Sequence, residues 1–435
     1  MKRLGELGAI AGYPRLLFAD EEGRIYDHPD FLAAGRSGDK EMLPPLDEWI
    51  PLPEMSRLFY MPGCPPIGLD PHSGRFVTIE KVRMRGKTVN CSAVAAFLEP
   101  GYARTMLPAA DTSRKGYVLP LWAYTAVGYT DGGYAACALQ VEDNPRWDPR
   151  NFDDQEMLPY LRSRLRLERS NPLIGHLARC AVRHHCFAAK NLFLGRWEAP
   201  LPVSRRCNAR CLGCLSLQPK GSCPAAHSRI RFRPEVSDIL EVAVPHLENA
   251  PDAIVSFGQG CEGEPLTEAA LIRDAIREIR KRTSRGTVNL NTNGSLPQEL
   301  LSIADEGLDS VRISLNSARP RVFHAYVRPK GFSLADVEYS ITLCRERGLF
   351  TMINYLIFPG VSDQEEEWDA LLGLIRRTGL HFIHLKNLCI DPDVYLMAIP
   401  RKDSDSMGIR EMARRIREVC PEVGIGYFNQ AVRLD

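Results

Sequence analysis

Residues 207–214 read CNARCLGC, which spaces Cys207, Cys211 and Cys214 as C-x3-C-x2-C. Three thiolates on one short loop can hold three irons of a cubane [4Fe-4S] cluster. The fourth iron then keeps an open coordination position, as catalytic metal sites generally do. The spacing therefore indicates a metal centre that can bind an external ligand.

The same cysteine spacing also suits a structural zinc site. Short cysteine clusters are shared by both metals, and Cys223 or His227 could complete a tetrahedral set with the triad. The triad alone leaves this alternative open, and the sequence on either side of it discriminates between the two metals.

Strand-like and helix-like segments alternate between about residues 199 and 390. The strand-like segments are apolar and β-branched, which is typical of buried parallel strands. Ser333 with Asp336, and Ser362 with Glu365, have the spacing of a capping box at a helix start. Six βα units are too few for a closed eightfold barrel, so the sequence predicts an α/β fold with a partial (β/α)6 TIM-like barrel. The predicted strands are 199–205, 253–257, 287–290, 310–315, 351–358 and 382–385.

Glycine-rich and polar motifs follow the predicted strands in order. The second strand runs into SFGQGCEGEPL (256–266), the third into NTNG (291–294), and the fourth ends in ISLN (313–316). The fifth contains NYLIFPGVSD (354–363). Each motif alone is an ordinary loop. Ligand sites in parallel βα folds gather at the carboxyl ends of the strands, so the ordered series favours a cofactor site there.

With these motifs, residues 199–390 resemble the radical S-adenosylmethionine (SAM) superfamily, most closely its molybdenum-cofactor cyclase and peptide-modifying branch. The resemblance implies a [4Fe-4S] cluster on the cysteine triad and SAM bound to the unique iron. Reductive cleavage of SAM would give a 5′-deoxyadenosyl radical that abstracts hydrogen from a substrate. A non-catalytic iron–sulfur or zinc protein is the alternative class.

The resemblance also implies which residues bind SAM. The run EGEP corresponds to the family's Gly-Gly-Glu-Pro motif, although Glu262 stands where the first glycine is expected. Arg328 is a fitting partner for the SAM carboxylate because a guanidinium can grip both oxygens. The expected SAM-binding residues are Gly263, Glu264, Thr292, Asn293, Ser314, Asn316, Arg328 and Asn354.

Ten of the thirteen cysteines lie outside the triad. Cys261 and Cys389 lie near the predicted site and are candidate catalytic hydrogen donors, with ordinary packing as the alternative. Cys180 and His184 have the i, i+4 spacing that can chelate a metal on a helix. A buried thiol beside a surface imidazole is the commoner reason for such a pair.

Residues 1–150 are rich in Pro, Gly and aromatics with short strand-like runs, and predict a β-rich or α+β accessory domain that recognises the substrate. Residues 151–198 are expected to form a helical connector, 199–390 the radical SAM core, and 391–435 a C-terminal extension.

The chain carries 55 Lys+Arg against 54 Asp+Glu, so no net field favours nucleic acid. It shows no secretion signal or membrane-length apolar run, and a cytoplasmic enzyme is expected. We expect an oxidoreductase or transferase that takes its electron from a donor such as flavodoxin or ferredoxin. A peptide or protein side chain is the first predicted substrate, and a cofactor-precursor rearrangement the second.

Overall fold

The computed structural model describes residues 12–84, 86–219, 223–400 and 404–432. A β-rich N-terminal region leads through three helices into a parallel α/β sheet. The strands are β1 (Arg15–Ala19), β2 (Ile25–Ala33), β3 (Gly35–Ser37), β4 (Lys40–Met42), β5 (Trp49–Pro51), β6 (Arg57–Met61), β7 (Ile67–Asp70), β8 (Arg75–Thr78), β9 (Lys81–Met84), β10 (Lys87–Asn90), β11 (Ser92–Phe97), β12 (Tyr102–Arg104), β13 (Leu107–Pro108), β14 (Thr125–Thr130), β15 (Gly133–Gln140), β16 (Glu198–Pro200), β17 (Ile254–Phe257), β18 (Thr287–Thr292), β19 (Ser310–Leu315), β20 (Phe350–Ile357), β21 (Phe382–Asn387) and β22 (Gly424–Gly426). The helices are α1 (Asp154–Leu167), α2 (Pro172–Arg183), α3 (Phe187–Leu194), α4 (Val236–Asn249), α5 (Ala269–Arg282), α6 (Pro297–Ala304), α7 (Pro320–Val327), α8 (Leu334–Glu346), α9 (Glu365–Thr378), α10 (Pro392–Ala398) and α11 (Ile409–Val419).

The N-terminal region is antiparallel, and its largest sheet has ten strands with the central order β12-β15-β14-β11-β1-β2-β7-β8. A tight turn joins β14 to β15 and makes the two strands antiparallel. Thr130 pairs with Gly133 across this turn, and the positive φ of Gly133 (114°) is a conformation that suits glycine. The predicted β-rich N-terminal region is confirmed.

The three connecting helices pack beside the parallel sheet. Helix α2 begins at Pro172 after Asn171, whose side chain accepts hydrogen bonds from the amides of Leu173 and Ile174. Such a cap satisfies amides that have no partner within the helix. One face of α2, including Leu173 and Leu177, is fully buried and rests near α4.

Seven parallel strands, β16 to β22, follow one another in sequence order across the second sheet. Alternate apolar residues such as Val255, Leu290 and Ile353 are fully buried in the main core. The intervening residues lie on the opposite face of the sheet, because a strand's side chains alternate between two faces, and they are largely polar. We call this second set the polar face, and it comprises Asn291, Arg312, Ser314, Asn354, His384 and Lys386.

The two edges of the parallel sheet are bridged by one hydrogen bond. Asn429, just after β22, donates from Nδ2 to Glu198 Oε1 of β16 at 2.5 Å. This bridge is compatible with the predicted partial barrel. None of the helices in the described ranges is long and apolar enough to cross a membrane.

The prediction of six strands is wrong by one. The seventh, Gly424–Gly426, comes from the segment expected to be an extension, and its two glycines carry no strand pattern. The first strand also ends at Pro200 rather than at residue 205, because the amides of Val203 and Ser204 donate to the Glu262 carboxylate instead of to a neighbouring strand.

One of the two predicted capping boxes forms. Ser333 and Asp336 make the reciprocal bonds at the start of α8, as predicted. The predicted capping box at Ser362 and Glu365 does not form. Ser362 Oγ instead accepts a hydrogen bond from the Phe358 amide, and α9 begins only at Glu365.

Candidate active site

Backbone hydrogen bonds fix the cysteine loop, residues 207–214, against the end of α7. The Arg210 amide donates to the Val327 carbonyl at 3.0 Å, and the Leu212 amide to the Tyr326 carbonyl at 3.0 Å. The three cysteine side chains of the loop are half-buried. The loop is therefore rigid in its backbone while its thiols border the interior.

The three thiols lie close enough to act on one another. Burial, and then the neighbouring Cys214 and Cys207, raise the pKa of Cys211. Among the described residues, however, the triad is not a group whose ligand atoms all lie within 4.8 Å of one another. Sulfurs around a single tetrahedral zinc lie about 3.8 Å apart, so the wider spacing favours a larger cluster over one ion. Arg229 Nη2 donates to Cys214 Sγ at 3.5 Å.

Glu262, which replaces the family's first glycine, is a buried carboxylate that joins two segments. Its Oε2 accepts from the amides of Val203 (2.8 Å) and Ser204 (2.9 Å). Its Oε1 accepts from those of Gly258 (2.7 Å) and Gln259 (3.0 Å). Burial raises the pKa of Glu262 to about 7, although these amides favour its charged form. The residue that departs from the motif thus ties the segment before the cysteine loop to the loop after β17.

Gly263 is required by the close approach of two backbones. Its amide donates to the Ser204 carbonyl and that of Glu264 to the Arg206 carbonyl, both at 2.7 Å. A Cβ at Gly263 would lie 1.9 Å from the Arg206 carbonyl oxygen. Only glycine fits there.

Glu264 connects the loop after β17 to the loop after β18. Its carboxylate accepts from Thr292 Oγ1 at 2.5 Å and from the Asn293 amide at 2.8 Å. Asn293 Nδ2 in turn donates to Asn208 Oδ1 of the cysteine loop at 2.9 Å. The structure thus brings Gly263, Glu264, Thr292 and Asn293 together beside the cysteine loop.

Ser314 and Asn354 are register neighbours on β19 and β20. The buried Asn354 Oδ1 has no hydrogen-bond partner in the described part of the chain, so it can accept from a ligand. Asn316 is placed differently: it is buried, and its Nδ2 lies 3.4 Å from the Tyr395 hydroxyl and 3.5 Å from the Val322 carbonyl. Its expected contact with SAM stays a prediction.

Arg328 is the residue after Val327, whose carbonyl accepts the hydrogen bond from Arg210 of the cysteine loop. It caps α7 in a left-handed conformation (φ 50°) and its side chain is exposed. A cationic side chain here stands beside the cysteine loop with its guanidinium uncovered.

We expect Arg328→Ala to raise the dissociation constant for SAM about tenfold or more, since hydrogen bonds to charged groups contribute about 1.5–3 kcal/mol. Iron content should not change, because Arg328 is predicted to contact the SAM carboxylate and not the metal. Equilibrium binding of SAM to anaerobically reconstituted protein measures this. Arg321→Ala, an exposed arginine on the same helix, is the matched control, and equal affinity in both variants would show that Arg328 is outside the SAM site.

Cys389 and Cys261 occupy different environments. Cys389 is partly exposed and lines a cavity of about 110 Å³ together with Cys214 and Leu121. Cys261 is buried, and its thiol faces His176 and Cys180 of α2. A hydrogen-donor role stays a prediction for both, and the placement favours Cys389.

The N-terminal region reaches the carboxyl ends of the parallel strands through Arg104. This fully buried arginine donates from its amide to Asn387 Oδ1 and from Nη2 to the Leu388 carbonyl, both at 2.8 Å. Its guanidinium lies 5.7 Å from the Trp122 ring and 5.3 Å from the Phe358 ring. Burial lowers the pKa of Arg104 to about 10. Its Nε and Nη1 have no hydrogen-bond partner among the residues described.

A buried ion pair reinforces the same junction. Lys115 Nζ lies 2.6 Å from Asp391 Oδ2 and 3.0 Å from Asp393 Oδ2. The Ile390 amide also donates to the Trp122 carbonyl at 2.9 Å. The N-terminal region therefore covers the strand ends where the predicted site lies.

Sequence reasoning missed the charged residues of the polar face. Arg312 and Lys386 are partly exposed as residues, but burial of their charged ends lowers the pKa of both side chains. His384 is fully buried on the same face. Polar and apolar residues alternate within these strands, and this alternation, which was interpreted as a uniformly apolar pattern, could have indicated a polar face.

Parts of the chain are similar to known proteins. Residues 201–372 match the family model of the radical SAM superfamily. The chain is 30% identical to a GTP 3′,8-cyclase of Petrotoga mobilis over 45% of this chain and 53% of that protein. It is 28% identical to molybdenum cofactor biosynthesis protein 1 of Bos taurus, over 46% of this chain and 28% of that one. Streptococcus suis SuiB bound to its precursor peptide SuiA is a structural neighbour with a TM-score of 0.37 and 14% identity, covering 58% of this chain and 53% of that chain.

The chain spans about half the length of the cyclase it matches. The matched segment contains the cysteine triad, the two loops joined by Glu264, and the polar strands β18 to β20. The match to the radical SAM superfamily, a family whose cofactors are a [4Fe-4S] cluster and SAM, therefore covers residues 201–372 of this chain.

Proposed function

We propose that this protein is a radical SAM enzyme acting on a small anionic substrate that binds over the polar face. When bound, the cluster and SAM supply an electron and a 5′-deoxyadenosyl radical. The chain's own residues hold the cysteine loop, orient SAM through the loops joined by Glu264, and enclose the substrate.

This proposal rests mainly on the two basic side chains of the polar face, Arg312 and Lys386. Burial lowers the pKa of both Arg312 and Lys386, and the positive charge of Arg312 lowers that of Lys386 further because like charges repel. Arg312 Nε is buried without a hydrogen-bond partner in the described residues. An anionic group placed between these side chains would relieve that repulsion.

The protein's own carboxylates near this face are engaged elsewhere. Glu198 Oε1 accepts from Ser256 Oγ at 2.7 Å as well as from Asn429. Glu142 Oε2 accepts from the amides of Tyr427 and Phe428. Glu198 offsets part of the positive charge of Arg312 and Lys386, and Glu142 part of that of Lys386. An anionic ligand between the two side chains would offset more of it.

This assignment favours the second of the two predicted substrate classes, a cofactor-precursor rearrangement. Two of the relatives are named for GTP cyclisation and molybdenum cofactor biosynthesis, and a nucleotide is a small polyanion. A peptide or protein substrate stays a prediction. The covering N-terminal region supports a closed site in either case, because excluding water suppresses side reactions of a radical.

The test measures 5′-deoxyadenosine formed by anaerobic, reduced protein with SAM, with and without GTP and other small anions. We expect an anion to accelerate its formation, and Arg312→Leu to abolish the acceleration while leaving slow cleavage of SAM intact. Arg321→Ala is the control. Acceleration by neutral peptides alone, or an unaltered response in Arg312→Leu, would contradict the proposal.

A further inference from the structure

Three metal-ligating side chains converge in the core outside the cysteine triad. His176 and Cys180 lie one turn apart on α2, and Cys261 comes from the loop after β17. They are 3%, 1% and 6% exposed, and their ligand atoms all lie within 4.8 Å of one another. Side chains from two distant segments therefore meet at one enclosed point.

The spacing of these atoms matches one tetrahedral ion. His176 Nε2 lies 3.6 Å from Cys180 Sγ. A zinc ion with bonds of about 2.3 Å to sulfur and about 2.0–2.1 Å to nitrogen places such a pair about 3.6 Å apart. The sulfurs of Cys180 and Cys261 lie within 4.8 Å of each other. This site is as compact as one ion requires, in contrast to the open cysteine triad.

The metal-binding pair of Cys180 with His184, which the sequence offered as the less common alternative, does not form. His184 Nε2 lies 3.2 Å from Ser228 Oγ, whereas Cys180 is paired with His176, one turn earlier on the helix. Both spacings are i, i+4, so the sequence alone could not choose between them.

One further imidazole, that of His227, lies near the three but outside the group whose ligand atoms are all within 4.8 Å of one another. The ring of His227 lies against Gly260, the residue before Cys261, with Cδ2 3.5 Å from the position a Cβ would take there. Its Nδ1 is buried and has no hydrogen-bond partner within the described ranges. We propose that His176, Cys180 and Cys261 bind a Zn²⁺ ion and that His227 supplies the fourth ligand.

Two thiolates and two imidazoles form a closed tetrahedral set that zinc prefers in structural sites. The ion joins α2, the loop after β17 and the segment after the cysteine loop. Cys261 lies two residues before Gly263, so the zinc holds in place the loop expected to bind SAM. The site does not depend on the substrate proposed above.

The test is the metal content of the full-length protein, purified anaerobically from zinc-supplemented cells with its iron–sulfur cluster in place. We expect about one zinc per chain beside about four irons. His176→Ala and Cys180→Ala should lose the zinc and keep the iron. Cys344→Ala, another buried cysteine on α8, should keep both metals. Cobalt exchanged for zinc should give the tetrahedral, thiolate-to-cobalt absorption bands in the wild type and none in Cys180→Ala.

Wild-type protein settles the question even if a variant fails to fold. A folded wild type that takes up neither zinc nor cobalt after thiol reduction overturns the site, as does a disulfide between Cys180 and Cys261 in freshly prepared anaerobic protein. Zinc retained at full level by folded His176→Ala and Cys180→Ala would place the metal elsewhere and overturn it equally.

Discussion

Cys211→Ala should yield a colourless protein that holds no cubane and forms no 5′-deoxyadenosine from SAM. Three thiolates are the only protein ligands that this loop offers the cluster, and the loss of one leaves an iron without its anchor. We expect the same result for Cys207→Ala and Cys214→Ala. Iron and sulfide counts, and chromatography of the SAM products under strong reductant, measure it.

Cys420→Ala is the matched control for this loss, because Cys420 is a buried thiol after α11, far along the chain from the cysteine loop. It should retain about four irons per chain. Full activity in any one of the three triad variants would remove that cysteine from the ligand set. Zinc without iron in anaerobically reconstituted wild type would contradict the radical chemistry altogether.

Gly263→Ala should cost the protein most of its affinity for SAM together with several degrees of thermal stability. The new Cβ would stand 1.9 Å from a backbone carbonyl oxygen at Arg206, so one of the two segments must move by more than an ångström. That carbonyl lies one residue before Cys207, and the displacement therefore reaches the cysteine loop. Overpacking of this kind costs about 1–3 kcal/mol, occasionally more. SAM binding and thermal unfolding, both under anaerobic conditions, report the change.

Gly260→Ala in the same loop separates this clash from a general effect of adding a methyl group. A Cβ at Gly260 would meet its nearest neighbours at 3.5 Å, which is ordinary contact. It should bind SAM nearly as well as the wild type. If Gly263→Ala binds SAM as tightly as Gly260→Ala, the two backbones do not approach as closely as described.

The fold was predictable where local pattern and tertiary role coincide. The strands β17, β19 and β20 lie close to their predicted bounds because each is apolar on the face that packs into the core. Prediction failed at Gly424–Gly426, where strand pairing with β21 overrides a weak local preference. It failed again after Pro200, where the buried carboxylate of Glu262, distant in sequence, claims the amides that would have extended the strand.

The candidate site was predictable where a motif fixes backbone geometry and not where distant segments meet. The expected grouping of Glu264, Thr292 and Asn293 follows from the order of the loops along the sheet. No local pattern connects Cys261 to α2, or brings Arg104 to the ends of β20 and β21. Contacts of that kind depend on how the layers pack, which a single sequence does not state.

The junction made by Arg104 and Lys115 has a consequence for how the protein unfolds. One apolar core runs without interruption from Met61 and Trp122 in the N-terminal region to the parallel sheet. Removing either side would break the hydrogen bonds of Arg104 and the ion pair of Lys115 and would expose the apolar surface between the two regions. The two regions should therefore melt in a single calorimetric transition, and the cover over the strand ends is part of the cooperative unit rather than a detachable module.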